Sequence, residues 1–183
     1  MLKIAIVGNI ASGKSTVEDL IKSNGYKVFD TDKIAHRILK NNQEVKSIFG
    51  TDNRKDLAKI VFSDREKLKI LESIIHPEVK KEILKIFELD EKIVFISVPQ
   101  LFECGFDTLF DKIIFISADK NTRLERLMKR NNLIEEEALR RISAQADEKE
   151  KISKADFVIY NDSNLENLKT EVLKTLKKIK IMQ

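Results

Sequence analysis

The chain has 183 residues, 42% hydrophobic and 35% charged with ten Phe, which is length for one domain with a buried core and excludes a disordered chain. A single cysteine, Cys104, excludes an internal disulfide, and with His36 and His76 so scattered it excludes Cys/His zinc spacing; a reducing, cytoplasmic setting is expected. The net charge of +4 comes from 34 basic and 30 acidic residues with no block of five like charges, which suits a small polyanionic ligand better than nucleic acid, and no apolar run is long enough for a membrane span or an export signal.

Residues 2–7 are a run of apolar and β-branched residues ending at Gly8, the pattern of a strand buried on both faces. Beyond loop 8–13, Val17, Leu20 and Ile21 share one helix face, and that helix ends near Gly25. A brief second strand is expected at 26–29. Asp30-Thr31-Asp32 follows, then a helix carrying Ile34, Ile38 and Leu39 on one face. Segment 43–88 is strongly helical, with Ser63-x-x-Glu66 as a capping box and Pro77 at the first position of a fresh helix.

Two more continuous apolar strands are expected at 93–98 and 113–117, and a fifth at 157–160. Residues 119–153 between the last two are polar and helical. Ser163-x-x-Glu166 is expected to cap a closing helix striped by Leu165, Leu168, Val172, Leu176 and Ile179. Strands alternating with helices predict an α/β fold with a mostly parallel sheet.

Gly8-Asn9-Ile10-Ala11-Ser12-Gly13-Lys14-Ser15 fits G-x-x-x-x-G-K-[ST], is followed by Thr16, and lies between the first strand and the first helix, where that motif works. Glycines let the backbone curl so that successive N–H groups meet phosphate oxygens, and the helix N-terminus adds partial positive charge. Lys14 then reaches the β- and γ-phosphates, and the Ser15 hydroxyl reaches Mg²⁺. The motif predicts nucleotide binding and does not choose between kinase, switch, motor and helicase.

Asp30 and Asp32 follow the second strand, at the sheet edge where α/β folds bind ligands. Asp32 either orients and deprotonates an acceptor hydroxyl or caps the helix beginning at Lys33. Five of the eight arginines (Arg123, Arg126, Arg130, Arg140 and Arg141) crowd into nineteen residues. Such a segment resembles a lid whose guanidinium groups clamp a transferring phosphoryl group; the plainer reading is a solvated helix pairing them with Glu125 and residues 135–137. His76 reads as a structural hydrogen bonder. Pro99 and Glu103 follow the strand that carries a Mg²⁺-binding Asp in many P-loop proteins, but here that strand ends in Ser97.

Eight ordered blocks resemble the dephospho-coenzyme A kinase family. They are the P-loop; Asp30-Thr31-Asp32-Lys33-Ile34-Ala35; Arg54-x-x-Leu57-Ala58-x-Ile60-Val61-Phe62; Leu71-Glu72-x-Ile74-Ile75-His76-Pro77; and Val98-Pro99-x-Leu101-Phe102-Glu103. The others are Arg123-Leu124-x-Arg126-Leu127-x-x-Arg130, Arg141-Ile142-x-Ala144-Gln145 and Ala155-Asp156-Phe157-Val158-Ile159-x-Asn161. The resemblance implies a P-loop, nucleoside-monophosphate-kinase-like fold: a five-stranded parallel sheet in a core of residues 1–32, 89–119 and 154–183, a helical acceptor-binding subdomain at 33–88, and a lid at 120–153.

It also implies Mg²⁺-dependent transfer of the ATP γ-phosphoryl group to the ribose 3′-hydroxyl of dephospho-coenzyme A by a cytoplasmic monomer with no nucleic-acid or membrane partner. Asp32, Lys14, Arg130 and Arg141 become the catalytic set. Gly8, Ala11, Ser12, Gly13, Lys14, Ser15, Thr16 and Asn161 become the ATP set. Asp32, Arg54, His76, Pro99, Leu101 and Glu103 bind the acceptor, with Ser15 and Asp32 on the metal. Asn9 and Ala11 depart from the family's usual Gly and Gln100 from its usual Leu, and about ten residues are missing between Gly50 and Arg54. The rival readings are another small-molecule kinase, for a nucleoside or nucleoside monophosphate, and a nucleotide-gated binding protein, which the lack of an Asn-Lys-x-Asp motif weakens.

Overall fold

The computed structural model describes residues 1–145 and 148–182. Residues 146 and 147 of the expected lid, and Gln183 at the end of the expected core, lie outside the described residues. The five apolar runs become β1 (Leu2–Gly8), β2 (Val28–Asp30), β3 (Ile93–Ser97), β4 (Lys112–Ser117) and β5 (Phe157–Tyr160), one parallel sheet ordered β2-β3-β1-β4-β5. The helices are α1 (Lys14–Ser23), α2 (Thr31–Leu39), α3 (Gln43–Phe49), α4 (Arg54–Phe62), α5 (Arg65–Ile86), α6 (Lys120–Asn131), α7 (Glu135–Ser143), α8 (Glu148–Ser153) and α9 (Leu165–Ile181). Two compact units result: Met1–Phe29 with Glu91–Gln183, which holds the sheet core, and the helical unit Asp30–Asp90.

β1 is central, with Ile4 opposite Phe95 on one side and Lys112 on the other. A parallel strand covered on both faces has no solvated side, so alternation vanishes and Ile4, Ala5, Ile6 and Val7 are all fully buried. Its period of two still sorts the core. Ile4, Ile6, Phe95, Ile114, Ile116 and Ile159 share a cluster with Val17 and Ile21 of α1 and with Leu168, Val172, Leu176 and Ile179 of α9. Parallel pairing also brings the carboxyl ends of β1, β3, β4 and β5 to one edge, where the loops that follow them can converge.

In the helical unit, α5 packs against α2, α3 and α4, and Ile34, Val45, Leu57, Val61, Ile75, Val79 and Ile83 are buried. The fresh helix expected at Pro77 is corrected: α5 runs through it. Pro77 lacks the N–H that would reach one turn back, yet Ile75, Val79 and Ile83 keep one buried stripe in register on both sides of it. Burial of that stripe outweighs one missing hydrogen bond. The short turn after α3 is compact, since Gly50 ends the helix in the left-handed region and Asp52 accepts a hydrogen bond from the Asn41 N–H at 3.0 Å.

Both expected capping boxes move by one residue. Asp64, not Ser63, caps α5 by accepting from the N–H groups of Glu66 and Lys67, while the Ser63 hydroxyl donates backward to the carbonyls of Lys59 and Ile60. Asn164, not Ser163, caps α9 through the Asn167 N–H at 3.0 Å. The second strand likewise starts later than residue 26, at Val28, and Tyr26 before it packs edge-on against Phe95 with ring centroids 5.4 Å apart.

Candidate functional site

Between β1 and α1 the chain curls tightly. The Ser12 N–H donates to the Asn9 carbonyl at 3.1 Å, and the Gly13 carbonyl accepts from Thr16 and Val17 to begin α1. Close approach dictates both glycines. A Cβ at Gly8 would lie 2.6 Å from Ser12 Oγ and 3.0 Å from the Ile116 carbonyl, and one at Gly13, whose φ is +91°, would lie 2.1 Å from Asn161 Nδ2. Ala11 stands in the left-handed region as well, at φ 61°.

The loop is held from outside. Asn161, just past β5, donates from Nδ2 to the Ser12 carbonyl at 2.8 Å, and its own carbonyl accepts from Arg126 Nη2 at 2.9 Å. The Ile10 N–H donates to Gln145 Oε1 at 2.7 Å. Ile10 and Ala11 pack against an apolar cluster built by Leu124, Leu127 and Met128 of α6, Leu133, and Ala138 and Ile142 of α7. Those helices carry the arginine-rich segment, so the segment expected as a lid lies against the loop.

Among the described residues, the buried side-chain atoms with no hydrogen-bond partner are Asn9 Oδ1, Ser12 Oγ, Arg123 Nε and Nη1, and Arg126 Nη1. Buried polar groups rarely go unsatisfied, and these belong to the loop or to α6 beside it. Arg126 Nη1 would lie 3.8 Å from a Cβ on Gly13. The Ser12 hydroxyl and Arg126 Nη1 therefore offer donors at the loop to an anionic ligand.

Lys14 opens α1, and its Nζ donates to Glu18 Oε1 at 2.9 Å and to Ser97 Oγ at the end of β3. Ser15 and Thr16 are exposed on the first turn. The arginines divide. Arg123 is buried and pairs with Glu148 at 3.5 Å, whose other oxygen accepts from the Ser117 hydroxyl, so the ion pair falls outside the glutamates expected from sequence. Arg130 donates to Asn131, and Arg140 and Arg141 are exposed on α7. At the head of α6, the Thr122 hydroxyl and backbone N–H hold the Asp119 carboxyl below the usual carboxylate range.

After β3, Pro99 is half-buried and Leu101 fully buried, so Leu101 supports that loop from within. Glu103 accepts from the buried Lys151 of α8 at 2.6 Å. In the helical unit, Asp32, Arg54 and His76 sit on α2, α4 and α5. Asp30 caps α2 through the Asp32 N–H at 2.9 Å, which removes the alternative of Asp32 as the cap. Sequence reasoning did not single out Glu18 and left Arg126 and Gln145 out of the site. Their identities gave one signal only, since Arg126 and Gln145 fall inside the family blocks.

A family model described as dephospho-CoA kinase matches residues 2–167. The dephospho-CoA kinase of Listeria innocua is 41% identical, with 93% of each chain covered. A solved Thermus thermophilus protein superposes with a TM-score of 0.88 at 39% identity, covering 97% of this chain and 96% of that one. Dephospho-CoA kinase from Campylobacter jejuni superposes with a TM-score of 0.75 at 35% identity over the same shares.

Proposed function

Because the chain belongs to the dephospho-CoA kinase family, we propose that it transfers the γ-phosphoryl group of ATP to the ribose 3′-hydroxyl of dephospho-CoA, giving coenzyme A and ADP. The observation that supports this most directly is the phosphate loop, tied by Asn161, Arg126 and Gln145 and surrounded by unsatisfied polar atoms. A loop held so rigidly is organised before the phosphates arrive.

In this reading the backbone N–H groups of Ala11, Gly13, Lys14 and Ser15 hold the β- and γ-phosphates, Gly8, Ser12 and Thr16 shape the loop around them, and Asn161 braces the nucleotide side. The acceptor-binding role falls to Asp32, Arg54 and His76 of the unit Asp30–Asp90 and to Pro99, Leu101 and Glu103 of the loop after β3, as the family resemblance assigns them. Asp32 orients the 3′-hydroxyl and takes its proton as the new O–P bond forms. The bond from the γ-phosphorus to the bridging oxygen breaks, and its electron pair leaves with ADP. Arg130 and Arg141, on α6 and α7, neutralise the equatorial oxygens as the lid closes and excludes water.

Among the described residues no three His, Cys, Asp or Glu side chains gather as a metal cage. Mg²⁺ does not need one: it keeps waters and phosphate oxygens and takes one or two protein ligands, a part that the exposed Ser15 hydroxyl on the first turn of α1 fits and that the family resemblance also assigns to Asp32. Bound there, it would supply neutralisation of charge on the β- and γ-phosphates. No described helix is long and apolar enough to cross a membrane, and the reading carries a cytoplasmic monomer working on small molecules.

The test is coupled ADP release across an acceptor panel. A sharp rise with dephospho-CoA and none with nucleosides or nucleoside monophosphates supports the proposal. Preference for a nucleoside acceptor would return the chain to the wider class of small-molecule kinases.

A further inference from the structure

Glu18 is 6% exposed on α1, one turn beyond Lys14. Removing a carboxylate from water costs several kcal/mol, far more than an ordinary exposed i,i+4 pair returns, so helix-surface pairing does not account for it. Its partner is the phosphate-loop lysine, Oε1 to Nζ at 2.9 Å. The same ammonium donates to Ser97, which is fully buried at the end of β3. A lysine ammonium has three N–H donors; two are spent on these partners, and their positions fix where the third can point.

In many phosphate-loop proteins the strand at this place ends in a carboxylate. Here it ends in a hydroxyl, and the carboxylate beside Lys14 comes from the helix. We propose that Glu18 is the positioning residue of Lys14, supplying from α1 the negative charge that the end of β3 lacks, so that Glu18 and Ser97 together hold the ammonium with one donor left for a phosphate oxygen. This deepens the kinase reading of the same site and rests on it wherever turnover is the readout. A held ammonium stabilises charge as it develops on the transferring group, whereas an unheld one can still follow a bound phosphate, so the role lies in kcat more than in nucleotide affinity.

Glu18→Ala, Ser97→Asp and the double variant form the test, read by kcat, ATP KM, melting temperature and crystal structures with and without ADP. Glu18→Ala should lower kcat by about ten- to a hundredfold with ATP KM changed by less than about threefold, and should move Nζ away from Ser97. The double variant returns a carboxylate to the other partner of the same ammonium and should recover kcat to within about threefold of the parent. Unchanged kcat in Glu18→Ala, or a loss that Ser97→Asp does not reverse in a protein melting like the parent, overturns the proposal. If Glu18→Ala does not fold, Glu18→Gln keeps the volume and an acceptor, and the same reversal is read in that background. If the parent fails to phosphorylate dephospho-CoA, the kinase reading falls by itself, and the Nζ position in the two ADP-bound structures still decides the role of Glu18.

Discussion

The Asn161 side chain donates 2.8 Å to the Ser12 carbonyl, so the residue just past β5 fixes the phosphate loop 149 positions away. That contact makes Gly13 irreplaceable for two separable reasons. A Cβ there meets Asn161 Nδ2 at 2.1 Å, and the φ of +91° costs an L-residue about 1–2 kcal/mol. Gly13→Ala is expected to lower the melting temperature and abolish ADP binding measured by calorimetry. Adding Asn161→Ala removes the clash but not the strain, so the double variant should recover part of the melting temperature without recovering ADP binding. A double variant no more stable than Gly13→Ala would show that the clash is not the cause.

Ala11 occupies the left-handed region at φ 61° where a glycine would be at ease, and it packs against the α6–α7 cluster. The two facts oppose each other. Ala11→Gly relieves about 1–2 kcal/mol of backbone strain. It gives up about 0.5–1 kcal/mol in chain entropy and up to about 0.8 kcal/mol of methyl burial. At the midpoints of these ranges the terms nearly cancel, so the expected net is about a few tenths of a kcal/mol in favour of glycine by urea denaturation. Ala11→Val should instead cost about 1 kcal/mol or more, because a β-branched residue at positive φ is a genuine outlier. Equal stabilities for the two variants would contradict this balance.

Asp30 and Asp32 are two residues apart and have different work. Asp30 accepts the Asp32 N–H at 2.9 Å as the cap of α2, so Asp30→Ala should cost about 1 kcal/mol of stability. Asp32→Asn should leave the melting temperature within a degree or so and lower kcat by about 10²- to 10⁴-fold with ATP KM little changed, as loss of a general base does. Thermal melts and steady-state kinetics on both variants check it. A stability loss at Asp32 with kcat intact would return it to a structural role.

What could be read ahead of the structure follows from how many neighbours a residue needs to reveal itself. The sheet was legible because strands such as β3 and β4 are apolar at nearly every position, and the loop was legible because its glycines and Lys14 stand at fixed spacing. Caps were misplaced by one because Ser63-Asp64 and Ser163-Asn164 each offer two competent cappers in a row, and tertiary packing chooses the entry angle. Pro77 looked like a boundary because its local penalty is visible in sequence, while the Ile75, Val79 and Ile83 burial that outweighs it is not. Glu18 was invisible for the same reason. On paper it is a polar residue of an amphipathic helix, and only the approach of Ser97 from another strand shows that it faces inward.

Two helix caps are expected to contribute to the fall of stability in acid. The backbone N–H of Lys67 holds the Asp64 carboxyl below its usual range, and the Thr122 hydroxyl does the same for Asp119. A carboxyl whose folded pKa lies below its unfolded value, about 3.9 for Asp, binds fewer protons in the folded state. Its stabilisation is therefore full above that unfolded value and is lost as pH falls through the lowered folded one. Melting temperature should stay flat in this respect from pH 7 to about pH 5 and then fall between about pH 4 and pH 2. Asn accepts the same backbone N–H bonds without titrating, so Asp64→Asn and Asp119→Asn keep their helices capped and should melt with a shallower acid slope than the parent. Parallel slopes in parent and variants would assign the acid loss to other carboxylates, such as Glu82, whose bond from Lys85 holds it low in the same way.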